Sequence, residues 1–464
     1  MIRLLNAYFP RRTLFLGISE ACLVALAFVA ATIARLGATD AALMLSYEQG
    51  GAKIFVVSAV FIGCMYYFDL YDTSILSNRR EVLTRLVQVL GVGCILLALV
   101  YYVYPPLELG RGIFVIGLAL VAVILLLWRR LFLALNSRPQ FAERVLIFGN
   151  GLLADSLMAE LGARPELGIR VVGQLKSLED GNANLRLSSG EKPDDQFLNL
   201  IEAYSAKRIV IAMNERRGNL PVQDLLQLKS RGVSVQDGAE MYEAVTGKLP
   251  VESLRLNWLL FSPGLEVSRP LMVYKRASSV IWSTVGLTLA SPIMALIALA
   301  IRLDSDGPAI FRQNRVGLHG KIFTLFKFRT MKNGVDQDMN YLPAERIDSR
   351  FTRLGRLLRR TRMDELPQLF NILRGDMHFV GPRPFVPNQE SECVEKIPYY
   401  RHRWAVKPGA TGWAQVNRGY NVTIEDNQDK LAYDLFYIKN ISVGLDLLIL
   451  FKTVKILLLG RGAQ

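Results

Sequence analysis

Apolar residues in this chain collect into runs instead of scattering at single positions. Four runs, about Leu14 to Leu36, Ile54 to Tyr71, Leu86 to Tyr104 and Ile113 to Leu133, each approach the ~20 residues that a helix needs to cross a hydrocarbon core. The first starts too deep for a removable signal peptide, has no small-residue cleavage pattern and is followed by three more runs, so it reads as an anchor. Arg3, Arg11 and Arg12 precede it; Arg79, Arg80 and Arg85 lie between the second and third runs; Arg129, Arg130, Arg138 and Arg144 follow the fourth. The other two loops hold only Lys53 and Arg111 near the membrane, so the positive-inside rule puts the N-terminus and everything after the fourth run in the cytoplasm. Glu20 sits near the cytoplasmic end of its span, where a snorkelling or interhelical contact is favoured over a functional intramembrane acid.

A fifth run, Val280 to Ile301, is interrupted by Ser291-Pro292 and flanked by Lys275, Arg276 and Arg302. A crossing here would export the most basic part of the chain, against the charge rule. A re-entrant helix over about 278–302, bending at Ser291 and Pro292 and returning to the same face, fits both facts. The alternative is a Pro-kinked fifth crossing.

Residues 144–240 alternate short apolar runs (Arg144 to Phe148, Val171 to Gly173, Arg208 to Met213, Val233 to Val235) with helical spacings such as Leu152, Leu157, Met158 and Leu161. This rhythm predicts a βαβ, Rossmann-like module. Gly149 and Gly151, in a Gly-x-Gly-x-x-Ala turn after its first strand, are weak candidates for a nucleotide-binding turn. No acid closes the second strand, where Val172-Gly173 runs into Gln174-Leu175, so a structural or regulatory module is favoured over a bound dinucleotide.

Charge and composition narrow the chemistry. The C-terminal third, from residue 270, carries 28 basic and 17 acidic residues, +11 of the chain's +14. That field suits an anionic membrane face, a phosphorylated substrate or nucleic acid. Its cations are interleaved with leucines beside an apolar run, without any nucleic-acid module, which argues against nucleic acid. Four cysteines with no CxxC pair and three histidines with no ligand spacing exclude a disulfide scaffold and make a thiolate or His-rich metal site improbable. Carboxylates, amines and guanidinia must do the work.

Gly307 to Gly317 and Phe323 to Met331 are short alternating runs ending in cations, with Lys327 and Arg329 expected on one face and Phe326 and Phe328 on the other. Arg353 to Thr361 then spaces leucines and arginines as in a basic helix on an anionic surface. Asp364-Glu365 follows at an expected helix start, with Pro367 in the first turn and Leu366, Leu369, Phe370 and Leu373 as its buried stripe. Helix capping is the usual role of such a pair. Here Arg359, Arg360 and Arg362 are expected to depress both carboxylate pKa values, and an ionised carboxylate beside a metal and a diphosphate can act as a phosphoryl nucleophile.

Lys327 to Met331, Asp364 to Gln368, Gly375-Asp376-Met377, Val380 to Pro384, Lys407-Pro408-Gly409 and Gly412 to Asn417 together resemble the bacterial sugar transferase family, the monotopic polyprenyl-phosphate hexose-1-phosphate transferases, over roughly residues 270–464. The four spans and the Rossmann-like module are similar to its large, exopolysaccharide-initiating form. The resemblance implies a re-entrant helix broken at Ser291-Pro292 and a catalytic domain in the cytoplasm of the bacterial inner membrane. It implies Asp364 as nucleophile on the β-phosphate of a UDP-sugar, releasing UMP, and Glu365 as ligand to Mg²⁺. Undecaprenyl phosphate would then take the sugar phosphate from Asp364. Arg383, in a Pro-Arg-Pro turn, would grip a phosphate, with Lys327, Arg329 and Arg315 as further phosphate-binding or pairing candidates. Asn417-Arg418-Gly419 departs from the family's usual Asn-Gly ending of this segment.

The expected layout is an α-helical four-span bundle (1–138), an α/β Rossmann-like module (139–245), a connector (246–270) and a mixed, mainly α-helical catalytic domain (271–464). Lys332 to Arg350 reads as a flap, and Leu445 to Leu459 as an interfacial helix. A homodimer through the bundle has room to form. A competing reading is a membrane-anchored nucleotide-binding regulatory protein with a silent transferase domain; retention of both Asp364 and Glu365 speaks against it. The motifs do not specify the sugar.

Overall fold

The computed structural model describes residues 1–72, 79–136, 138, 142–175, 204–213, 220–253, 268–332, 350–418 and 423–458. The expected flap between Lys332 and Arg350, most of the connector and Gly419 fall outside these residues. The chain divides into two compact units, one made of residues 1–2, 9–150 and 154–236, the other of 3–8, 151–153 and 237–464.

A short hairpin, β1 (Ile2–Leu4) and β2 (Ala7–Phe9), falls mostly in the second unit; the first holds α1 (Arg11–Leu36), α2 (Ala38–Tyr47), α3 (Gly50–Tyr67), α4 (Arg79–Val103) and α5 (Arg111–Asn136). Helices α1, α3, α4 and α5 are long and apolar enough to cross a membrane. Their packed seam holds Val24, Phe28, Val57, Phe61, Met65, Leu86 and Val121, while Ile18, Leu26, Phe55, Val87, Ile95 and Leu127 point outward. Helices apolar on both faces suit a lipid surround and suggest a membrane protein. Gly93 and Gly117 let the Phe61 and Phe28 rings approach to 2.7 and 2.5 Å of where a Cβ would stand. Glu20 makes the interhelical contact favoured for it: its two oxygens accept from Arg129 Nε and Nη2 at 2.6 and 3.0 Å, and Arg129 also donates to the Leu70 carbonyl. Helix α2 leaves no clear mark in the sequence, being too short and mixed to stand out between spans.

The same unit contains β3 (Glu143–Phe148), α6 (Leu152–Ala163), β4 (Ile169–Leu175), β5 (Arg208–Ile211), α7 (Val222–Ser230) and β6 (Ser234–Asp237). The strands lie in the order β4-β3-β5-β6, and β3 pairs in parallel with both β4 and β5, Val145 facing Val171 and Arg208. Val145 to Phe148 are fully buried, as a central parallel strand requires.

The second unit begins earlier than the motifs suggest. Helix α8 (Gly238–Thr246), capped by the Asp237 carboxylate on Ala239 N at 2.7 Å, belongs to it. Buried Glu243 accepts from Lys439 Nζ and Asn440 Nδ2 at 2.6 and 2.9 Å, and the Gly247 carbonyl accepts from the Trp413 indole at 2.8 Å. The core elements follow: α9 (Arg269–Asp304), the antiparallel hairpin β7 (Ile310–Val316) and β8 (Ile322–Phe328), α10 (Arg353–Thr361), α11 (Gln368–Arg374), β9 (His378–Val380), α12 (Pro387–Lys396), β10 (Gly409–Thr411), α13 (Trp413–Asn417), α14 (Ile424–Lys439) and α15 (Val443–Leu458). Short β9 pairs in parallel with β10.

Helix α9 continues through Ser291-Pro292 instead of breaking there. Proline withholds the N–H that would serve the carbonyl four residues back. Ser291 Oγ donates to that Thr288 carbonyl at 2.9 Å and so replaces the lost bond. Thr288, Thr284 and Ser283 likewise bond back one turn, a habit that bends helices without ending them.

Candidate active site

The carboxylate pair lies on a 3₁₀ turn, Met363–Glu365, between α10 and α11. Thr352 starts α10 by accepting from Gly355 N at 2.9 Å, and Arg362, at φ 57°, ends it in the left-handed region. Asp364 therefore does not cap α11, whose N-cap is Pro367. The expected apolar stripe is also displaced: Asn371 and Ile372 are buried and Phe370 is 53% exposed, because α11 packs between α9 and β8. Asn371 decides that packing. Its side chain accepts from Phe326 N at 3.0 Å and donates to the Thr324 carbonyl at 2.7 Å, acting as a further pairing partner for β8.

That join brings Lys327 to the turn. Glu365 Oε1 accepts from Lys327 Nζ at 3.0 Å and Arg383 Nη2 at 3.3 Å, and stands 3.7 Å from Arg362 Nη1. Burial raises the Glu365 pKa, but the charges of Lys327, Arg383 and Arg362 outweigh it and hold the carboxyl well below the usual carboxylate range. Asp364 departs from the sequence expectation. Burial pushes its pKa up, Lys327 pulls it down, Glu365 raises it further, and the Arg362 and Arg359 charges do not restore the balance. Asp364 is only 8% exposed, and its Oδ1 is buried with no hydrogen-bond partner. An under-solvated carboxylate beside a firmly ionised one is the arrangement expected of a nucleophile and a charged positioning group.

The remaining cations divide. Arg383 and Lys327 meet at Glu365. Arg315, on β7, instead donates to the Pro384 carbonyl at 3.1 Å and to Gln313 Oε1 at 2.6 Å, with burial lowering its pKa to about 10. Arg329 lies one residue beyond β8, where strand alternation no longer applies. Its guanidinium donates to the carbonyls of Asp306 and Ser305 at 2.8 and 2.6 Å and to Ser305 Oγ at 2.9 Å, closing the C-terminus of α9. Arg329→Met is therefore expected to lower the stability of this unit by on the order of 1 kcal/mol, seen as a lower urea midpoint, because the half-buried carbonyls at the end of α9 lose a charged donor. An unchanged midpoint would show that these bonds are not needed.

Gly149 and Gly151 have positive φ, as tight turns demand. At Gly149 a Cβ would come within 2.6 Å of the Ala212 backbone, and the Gly149 carbonyl accepts from Gln174 Nε2 at 3.0 Å. Close packing of its own chain thus accounts for this glycine.

Two groups escaped the sequence reading. Arg276 donates to the Ile372 and Leu373 carbonyls, both at 2.8 Å, and closes α11. Arg403 is buried among Glu390, Asp434 and Tyr400. Burial pushes Asp434 up to about 6 despite the adjacent Arg403. The only available signal was a run of basic residues, Arg401 to Arg403, indistinguishable from a solvated surface.

All the motifs around this turn lie within residues 271–460, which match the model of a family described as bacterial sugar transferase. An undecaprenyl-phosphate N-acetylgalactosaminephosphotransferase of Aeromonas hydrophila is 39% identical over 226 residues, 48% of this chain and 52% of that one. A UDP-glucose:undecaprenyl-phosphate glucose-1-phosphate transferase of Klebsiella pneumoniae is 35% identical over 325 residues, 68% of each chain. The chain belongs to the bacterial sugar transferase family. An undecaprenyl-phosphate glucose phosphotransferase of Komagataeibacter xylinus is 35% identical over 342 residues, 70% of this chain and 60% of that one. The sugar transferase signature thus coincides with the Asp364-Glu365 turn and its cations. The chain spans about half the length of the Aeromonas protein.

Proposed function

We propose that this protein moves hexose-1-phosphate from a UDP-sugar to undecaprenyl phosphate, releasing UMP and forming undecaprenyl-diphosphate-hexose. The observation that carries this reading is the buried, unpartnered Oδ1 of Asp364 beside a Glu365 carboxylate that gathers Lys327, Arg383 and Arg362. The names of the relatives supply the substrate classes.

In this mechanism an Asp364 oxygen attacks the β-phosphorus of the donor. The bond from that phosphorus to the bridging oxygen breaks, and UMP leaves with the oxygen. A phosphate oxygen of undecaprenyl phosphate then attacks the same phosphorus, the Asp364–phosphorus bond breaks, and the free carboxylate returns. Lys327 and Arg383, anchored on Glu365, supply fixed positive charge where phosphate charge moves. Among the described residues no three His, Cys, Asp or Glu side chains gather as a metal cage. The donor set, two adjacent carboxylates with an orphaned oxygen, fits Mg²⁺, which keeps waters and substrate phosphates as its other ligands. Bound through Glu365, it would neutralise diphosphate charge.

The proposed location is the bacterial inner membrane with the catalytic domain facing the cytoplasm. In this reading helix α9 is the re-entrant element. At 36 residues it is about 54 Å long, well beyond a ~30 Å hydrocarbon core. Yet one catalytic unit holds it near both ends: Lys275 on Asp446 and Tyr437 and Ser279 on His378 at one, Ile297 and Ile301 with Phe328 and Leu358 and the Ser305 cap on Arg329 at the other. Contacts from the same unit near both of its ends favour the reading in which α9 enters and leaves on one face. The Rossmann-like module is read as structural, given how Gly149 packs.

The test is UMP release by purified protein with undecaprenyl phosphate and Mg²⁺ across UDP-sugars that include UDP-glucose and UDP-N-acetylgalactosamine. Release with one donor, dependent on the lipid for a full turnover, is expected. No release from any donor by folded protein would overturn the reading.

A further inference from the structure

The Pro382 to Phe385 segment carries Arg383 to the site but belongs to no strand or helix. Its two prolines offer no N–H, and its buried carbonyls must find donors elsewhere. Each has one. Gly409 N serves the Pro382 carbonyl at 3.0 Å, and Val316 N serves that of Phe385 at 3.1 Å. Arg403 Nη2 serves Arg383 itself at 2.8 Å, and Arg315 Nη1 serves Pro384 at 3.1 Å.

Arg403 is an expensive way to satisfy one carbonyl. It is 4% exposed and is held by Asp434 Oδ2 at 3.0 Å, Glu390 Oε1 at 3.4 Å and Tyr400 Oη at 2.5 Å, with its guanidinium 4.5 Å from the centre of the Phe385 ring. Trp404 Nε1 donates to the second Glu390 oxygen at 3.3 Å. Buried ionic networks are seldom more stable than the apolar packing that could replace them, and their best attested return is a unique geometry. What this one makes unique is the backbone of the residue whose guanidinium reaches Glu365. Its planar fork bonds the carboxylates on one side and the Arg383 carbonyl on the other, which a lysine cannot do.

We propose that Arg403, oriented by Glu390 and Asp434, is a positioning residue for Arg383, and that Arg315 does the same from β7 through Pro384. Neither is a phosphate ligand. The inference deepens the proposed transfer reaction and rests on it only for its kinetic test.

Two readouts test it. In a double-mutant cycle, Arg403→Lys is expected to lower kcat/KM roughly 10- to 100-fold in the wild-type background and less than about twofold once Arg383→Ala is present, since the fork it places is gone. An equal loss in both backgrounds would mean general structural damage and overturn the proposal. Hydrogen exchange of a peptide spanning residues 379–386 should speed up in Arg403→Lys without any substrate, and unchanged exchange there would also overturn it. If wild-type protein releases no UMP, the reaction assignment fails, while the exchange result still decides the positioning role. Should Arg403→Lys not fold, Arg315→Lys enters the same cycle and exchange measurement with the same two decisive outcomes.

Discussion

Asp364→Asn is expected to release no UMP from any UDP-sugar, a loss of at least about 10⁴-fold, while the folded protein becomes more resistant to urea in metal-free buffer. The side chain is nearly isosteric, so the turn Met363–Glu365 should survive. What disappears is the nucleophilic oxygen. The gain in stability follows from the sign of the pKa shift. Burial raises the folded-state pKa of Asp364 above its unfolded value, so its ionised form destabilises the fold at neutral pH, and that penalty fades only as pH falls through the raised pKa. A neutral amide removes the penalty at neutral pH. Turnover by this variant would sink the covalent mechanism, and a lower urea midpoint would show that the carboxylate is compensated in the protein. Wild-type activity should also fall on the acid side through the raised Asp364 pKa, since the nucleophile must be ionised.

Glu365→Gln is expected to lower kcat/KM by roughly 10²- to 10³-fold and to raise the Mg²⁺ concentration needed for half-maximal rate. Glu365 Oε1 is the common partner of Lys327, Arg383 and Arg362, at 3.0, 3.3 and 3.7 Å. A neutral amide leaves three cations facing one another and removes the charged partner of Arg383 at this turn. The folded pKa of Glu365 is depressed, so its contribution to stability is present above the unfolded pKa and lost as pH falls towards the folded one. The variant should therefore be less stable than wild type at neutral pH, opposite to Asp364→Asn. Because Glu365 also raises the Asp364 pKa, the acid limb of any residual activity should move to lower pH. An unchanged Mg²⁺ titration would count against a ligand role, and an unchanged acid limb against the coupling of the two carboxylates.

Much of the architecture was legible because it depends on local pattern. Runs of about 20 apolar residues can only be spans or a buried element, and α1, α3, α4, α5 and α9 lie where those runs are. The βαβ rhythm marks strands β3 to β6, since each apolar run there is short and followed by helical spacing or a turn. The family motifs singled out Asp364 and Glu365 because several short segments keep their order. The same local logic failed where the backbone leaves regular structure. Strand alternation placed Lys327 and Arg329 side by side, but β8 ends at Phe328 and Arg329 turns to the end of α9. Pro292 marked a break, but the Ser291 hydroxyl covers the exposed carbonyl and the helix continues. The arginines beside Asp364 pointed to a depressed pKa, yet burial, which no neighbour list reveals, with the Glu365 charge behind it, turns the shift upward.

By itself, then, the sequence determined which segments are membrane-length helices, where the parallel α/β sheet lies, and which two carboxylates form the candidate centre. Tertiary structure alone decided which cations reach Glu365, that Arg315 and Arg403 hold the Arg383 turn from behind, and that residues 237–253 belong with the catalytic elements. The physical reason is range. Periodicity and turn chemistry act over a few neighbouring residues, whereas a guanidinium on a long, flexible stem finds its partner through the angle and spacing of elements far apart in the chain, and the desolvation of a carboxylate depends on everything packed around it.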